Sequence, residues 1–202
     1  MAMDLTFTNL FQFISIISPF LLGFFLIMIS VFNQDLKAFV YLGGLLLATI
    51  INVFLMNIVK SDVDTQKQQP ICNIINMPFG MSAYNSPSMN SMYIAFTMSY
   101  LFLPMFTNNQ VNYGLLSFMI SLFLIDATNK IMNYCTNFGG ILLGLLTGLT
   151  MGGIWYTIFH TAGYDSLLYF DETMSNKVYC AKPQKQTFKC SVYKNGELIK
   201  TL

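Results

Sequence analysis

Arginine is absent from this chain, histidine occurs once, and charged residues of every kind make up 9% of its 202 positions. Each scarcity removes a class of function. Without a guanidinium there is no planar, bidentate clamp for a phosphate, and the ten lysines offer point charges only. Phosphoryl transfer that uses one histidine as nucleophile and another to protonate the leaving group is excluded by composition. A net charge of +1 gives no reason to expect nucleic-acid binding. What is plentiful is apolar: 54% of residues are hydrophobic and 15% aromatic, a balance foreign to a soluble globule and suited to a bilayer. The opening MAMDLTFTNLFQF has no basic n-region and no small-residue cleavage site, so the first span is expected to be retained.

Apolar runs divide residues 1–162 into about five expected transmembrane helices, an all-α integral membrane bundle. The first runs from Leu10 to Phe32 and contains Pro19, tolerated because membrane helices re-satisfy the carbonyl it frees. After a tight connector at 33–37, the second runs from Ala38 to Val59, long enough to cross about 30 Å of hydrocarbon. Its Asn52 and Asn57 are expected to face other helices. Residues 60–91 carry three prolines and no sustained apolar period, which makes a long loop. Ile71, Ile74, Ile75, Met77, Phe79 and Met81 suit that loop to the membrane interface. A shorter third span covers Met92 to Phe106. The fourth begins at Tyr113 to Ile125 and continues through Asp126 and Lys130, and the fifth runs from Gly139 to Phe159. Five spans put the N-terminus, loop 60–91 and loop 127–139 on one membrane face, and the tail, residues 163–202, on the other.

Within the stretch Lys130 to Tyr156, a polar loop leads into a helix where Gly140, Gly144, Gly148 and Gly152 recur at every fourth position. They form one stripe without side chains, along which another helix can approach closely. Asp126 and Lys130, spaced i,i+4, read as an ordinary ion pair at a helix end. His160 reads as an interfacial residue satisfying a carbonyl at the end of the fifth span. In the tail, TFKCSVY, KNGE and LIKTL predict a small β-hairpin turning at Asn195-Gly196. The tail lysines (Lys177, Lys182, Lys185, Lys189, Lys194 and Lys200) and Lys37 fall on one face, which the positive-inside rule makes cytoplasmic. Cys72 and Cys135 fall on one face and Cys180 and Cys190 on the other, so no four-ligand metal site is expected. No cofactor is expected either.

Asn85 to Ser91 (NSPSMNS), at the mouth of the third span, and the loop from Lys130 together resemble the type 2 phosphatidic acid phosphatase (PAP2) superfamily. That family's signature is K-x6-R-P, P-S-G-H and S-R-x5-H-x3-D, with the last motif leading into a glycine-rich helix. Here Pro87, Ser88, Met89 and Asn90 stand at P-S-G-H. Lys130 stands for the arginine of the third motif, Thr136 for its nucleophilic histidine and Gly140 for its aspartate. Gln69-Pro70 matches the R-P position, with Asp62 at that of the lysine. The resemblance spans residues 60–156 and rests on architecture, since Pro70, Pro87 and Ser88 are its outright identities. It implies a PAP2-like bundle whose loops converge, and a phosphate or lipid contact built from Lys130, Ser88, Gln69 and Lys67. It also implies that Cys72 and Cys135 come together, where on a lumenal face they can pair. The reactive groups are missing: Asn90 cannot transfer a proton, Thr136 has no adjacent base, and Gly140 orients nothing. Without the resemblance, Pro87-Ser88 is a helix cap, with Ser88 or Asn90 as N-cap, and the glycines are a packing seam.

The expected function is a catalytically inactive PAP2-like protein that serves as a structural or lipid-contacting membrane component. Its partners would be membrane lipids and, through the tail, a capsid or other membrane protein. The tail resembles those of membrane proteins of large nucleocytoplasmic DNA viruses, which implies a virion inner membrane or a host endomembrane. Two competitors are an active lipid phosphatase using Cys135 or Thr136, and a transporter or pore lined by Asn52, Asn57, Thr147 and Thr150.

Overall fold

The structure, a computed structural model, describes residues 7–61, 72, 84–170, 191–194 and 197–201. Five helices carry the fold: α1 (Phe7–Asn33), α2 (Lys37–Val59), α3 (Met89–Thr107), α4 (Tyr113–Met132) and α5 (Phe138–Thr161). Four of them, over Leu10–Asn33, Lys37–Val59, Tyr113–Met132 and Phe138–Thr161, are long and apolar enough to cross a membrane. Their outer faces expose Phe20, Phe24, Leu46, Phe54, Phe118 and Leu146. The described part of residues 7–170 is thus an all-helical bundle, compatible with a multi-pass membrane protein.

Polar residues set the helix ends. Between α1 and α2 the backbone reverses at Gln34, with φ of 55°, and Asp35 accepts the backbone N–H of Lys37 at 3.1 Å. Asn112 caps α4 by accepting from the N–H of Leu115 at 3.2 Å, and Asn137 caps α5 through the N–H of Gly140 at 2.6 Å. Each cap satisfies a donor that the first helical turn leaves open.

Helix α3 differs from the expected third span, Met92 to Phe106. It starts three residues earlier, and it is not among the four helices apolar enough to span. The reason is its position: 13 of its 19 residues are buried, and its partners are the other helices. A helix enclosed by protein can carry Ser91, Thr97 and Ser99, because neighbouring helices and not lipid must satisfy them. Ser99 donates to the Leu149 carbonyl of α5 at 2.9 Å.

The glycine stripe is what lets α5 lie against α3. A Cβ at Gly144 would stand 2.5 Å from the Ser88 carbonyl oxygen, and one at Gly152 would stand 2.6 Å from that of Phe96. At Gly148 it would run into the Met92 carbonyl. Partners four residues apart on both helices mean that α3 and α5 run parallel and in step. Cross-contacts orient the rest: Gln12 of α1 meets Asn133 beyond α4, Ser91 of α3 meets Asp126 of α4, and Trp155 of α5 donates to Val40 of α2. Successive helices therefore run antiparallel. The starts of α1, α3 and α5 and the ends of α2 and α4 share one end of the bundle, here the loop end.

At the opposite end the packing continues past residue 162, the expected boundary of the tail. After a 3₁₀ turn at Asp165–Leu167, Leu168 and Tyr169 are buried, and the Tyr169 hydroxyl donates to the Leu26 carbonyl at 2.6 Å. Farther on, β1 (Ser191–Lys194) and β2 (Glu197–Thr201) pair antiparallel, with Ser191 opposite Thr201 and a register shift between Val192 and Tyr193. The Asn195-Gly196 turn, Cys180 and Cys190 lie outside the described residues, as does most of loop 60–91.

Two local expectations are corrected. Asn57 does not face other helices; it is exposed on the last turn of α2, where its amide donates to the Val53 carbonyl at 2.9 Å. His160 does not hold a carbonyl with its ring. Its Nδ1 lies 2.7 Å from Asp165 Oδ1, and the ring stacks on Tyr156. The carboxylate four residues beyond the helix is a better partner than a carbonyl already close to the helix's own N–H groups.

Candidate functional site: a polar clasp at the loop end

The segment Tyr84–Ser88 leads into α3 between the starts of α5 and the end of α4. The Ser88 N–H donates to the Gly140 carbonyl at 2.8 Å, and Thr136 Oγ1 donates to the Asn85 carbonyl at 2.9 Å. Lys130 Nζ donates to Ser88 Oγ at 2.8 Å. Asn85 and Ser88 thus meet Lys130, Thr136 and Gly140, which lie more than 40 residues away in sequence. Ser88 is the N-cap residue of α3, but its side chain makes no capping bond, because Lys130 and Ser91 occupy the hydroxyl.

Asp126 is the centre of this cluster. It is fully buried. Its Oδ1 accepts from Ser15 Oγ of α1 at 2.9 Å and lies 3.5 Å from Asn90 Nδ2 of α3. Its Oδ2 lies 3.6 Å from Lys130 Nζ and 3.3 Å from Ser91 Oγ. Ser91 Oγ is also 2.9 Å from Ser88 Oγ, so its single proton chooses between a carboxylate and a hydroxyl. Further out, Gln12 donates to Asn133 at 3.2 Å and Asn129 donates to the Phe11 carbonyl at 3.3 Å, closing α1 against α4.

Asp126 and Lys130 are therefore not an ordinary ion pair on a helix end. A carboxylate and an ammonium in apolar surroundings are each costly alone, and they are held here by mutual charge and by hydroxyls from α1 and α3. Chemically, the arrangement is closed. The Lys130 ammonium, with 17% of its side chain exposed, has the Asp126 carboxylate as its counter-charge 3.6 Å away.

The remaining residues singled out in the sequence fall as follows. Cys72 and Cys135 are joined in a disulfide with their Cα atoms 5.2 Å apart, so Cys135 offers no thiolate. Thr136 is buried with its proton committed to Asn85, and Gly140 packs against Thr136 and Ser86. Asn90 Nδ2 lies 3.5 Å from Asp126 Oδ1. Gln69 and Lys67 lie outside the described residues. His160 is at the opposite end of α5 from Thr136. Asn52 is buried between α2 and α3, Thr147 is buried and bonded to Leu143, and Asn57 and Thr150 are exposed, so these four line no common path. Among the described residues no three His, Cys, Asp or Glu side chains group to hold a metal ion.

Ser15 and Ser91 were missed in the sequence. The signal that points to Ser15 is weak: Gln12, Ser15 and Ser18 are polar residues at i,i+3 spacing on a mostly apolar span. Comparisons with protein families, with curated proteins and with solved structures find no match to this chain.

Proposed function

We propose that the protein is a catalytically inactive PAP2-like membrane protein, a structural and lipid-contacting component in which the family's site has become an internal clasp. The observation that carries this reading is the convergence of Ser88, Lys130, Thr136 and Gly140, the positions that correspond to the family's second and third motifs. Charge supports inactivity. The lysine that would hold a phosphate oxygen is bound to Asp126, and the chain's single histidine is remote, paired with Asp165. In this reading the lipid-facing surfaces of α1, α2, α4 and α5 keep the bundle in a virion inner membrane or a host endomembrane. The hairpin tail acts as a separate module that takes a capsid or membrane-protein partner.

Full-length protein in vesicles containing phosphatidic acid tests it by release of inorganic phosphate. The expected rate equals that of protein-free vesicles. Turnover that disappears in K130M would overturn the reading.

One observation favours a second reading. A serine hydroxyl 2.8 Å from a lysine amine is the geometry of a nucleophile and its base, as in serine–lysine hydrolases. Two features oppose it: Lys130 Nζ is already engaged by Asp126 at 3.6 Å, and Ser88 is buried. Covalent labelling of Ser88 by a fluorophosphonate, lost in S88A, would establish it in place of the first reading.

A further inference from the structure

The loop end carries a disulfide, and that bond orients the chain. Two connections meet at the loop end, the one between α2 and α3 and the one between α4 and α5. Cys72 lies in the first and Cys135 in the second, and their disulfide ties the two together across 63 residues of sequence. Cys135 is held in place by its own N–H, which donates to the Lys130 carbonyl at 2.9 Å, and it is flanked by buried Asn133 and Thr136. The bond therefore sits at the rim of the clasp. Lysines give the orientation only weakly: close to the spans, Lys37 near the far end is matched by Lys60 at the loop end, and most of the tail lysines are distant in sequence from the last span.

Cytosolic thiols are kept reduced, whereas disulfides form and persist in lumenal, extracellular and other oxidising compartments. We infer that the loop end of the bundle faces an oxidising compartment, where the Cys72–Cys135 bond acts as a covalent strap over the clasp, and that the tail with Cys180 and Cys190 faces the cytosol. In forming the bond, the two thiols together lose two protons and two electrons to a disulfide-bearing oxidant, which leaves as a dithiol. The inference rests on the membrane-spanning fold and not on the phosphatase resemblance, so either can fail without the other.

The test uses the full chain in sealed, cytosolic-side-out microsomes, alkylated with a membrane-impermeant or a permeant maleimide and mapped by peptide mass. Cys180 and Cys190 should react with the impermeant reagent in sealed vesicles. Cys72 and Cys135 should resist both reagents until a permeant reductant is added, and should then react with the impermeant one only after the vesicles are opened. Alkylation of Cys72 or Cys135 without reductant would overturn the inference. So would their reaction with the impermeant reagent in sealed, reduced vesicles, or failure of Cys180 and Cys190 to react there.

Discussion

At the loop end, α1, α3 and α4 meet through a carboxylate, an ammonium and three serine hydroxyls. At the far end, α1, α2, α3 and α5 meet through rings that each bring one polar atom. Tyr41 bonds Thr97 at 2.7 Å, Tyr156 bonds Thr107 at 2.8 Å, Tyr169 bonds the Leu26 carbonyl, and Trp155 Nε1 donates to the Val40 carbonyl at 2.9 Å. The rings of Phe96 and Tyr100 stack, and Tyr41 and Tyr169 pack against Tyr100 with centroids 5.7 and 6.4 Å away. A phenol buries a large apolar area and asks for one neutral partner, so each far-end contact stands largely by itself. The clasp is different, because neither Asp126 nor Lys130 is tolerable without the other. Losses at the far end should add, and losses at the loop end should not.

The comparison is most open to breakage at Asp126. D126L leaves the Lys130 ammonium without its carboxylate and should cost about 3–5 kcal/mol, read as loss of thermal stability in lipid nanodiscs. A loss below about 1 kcal/mol would make the clasp no stronger than an exposed pair. Next comes the glycine seam that both ends share. G148A places a methyl against the Met92 carbonyl and 2.8 Å from the Phe96 nitrogen, backbone atoms that cannot swing aside, and should cost about 1–3 kcal/mol. G43A is its control, since the added Cβ meets only a Trp155 ring carbon at 3.6 Å, and its melting temperature should stay at the wild-type value.

Smaller effects sharpen the far end. Y41F and Y156F each remove one hydroxyl bond, to Thr97 and to Thr107, and should each cost about 1 kcal/mol, and their double variant should show the sum. N52L probes a polar group that neither end uses. Asn52 is fully buried, its Oδ1 has no hydrogen-bond partner among the described residues, and its Nδ2 contacts, to Pro87 O and Met89 Sδ, are 3.4 and 3.5 Å long. A leucine there should leave stability unchanged or raise it, and a clear fall would give that amide a role.

The sequence announces what depends on spacing and hides what depends on three-dimensional meeting. The four apolar helices and the glycine seam are legible because span length and a four-residue repeat are local quantities. The convergence of the Pro87-Ser88 segment with Lys130 and Gly140 joins residues more than 40 positions apart, which no local spacing reports. Nothing local says that Asp126 is buried, because an i,i+4 acid–base pair at a helix end looks the same whether it meets water or Ser15 and Ser91. Helix α3 reads as a weak span because its serines and threonine serve neighbours that lie far away in sequence. Leu168 and Tyr169 read as the start of a soluble tail because two residues carry no period.

The central claim is that Asp126 and Lys130 are partners in an internal clasp and do not form an open phosphate-binding site. A double-mutant cycle of D126L, K130M and D126L/K130M, read as unfolding free energy in nanodiscs, tests it most directly. If the clasp is as described, the double variant recovers most of the stability that D126L loses. If the two losses simply add, the charges do not depend on each other and the account is wrong.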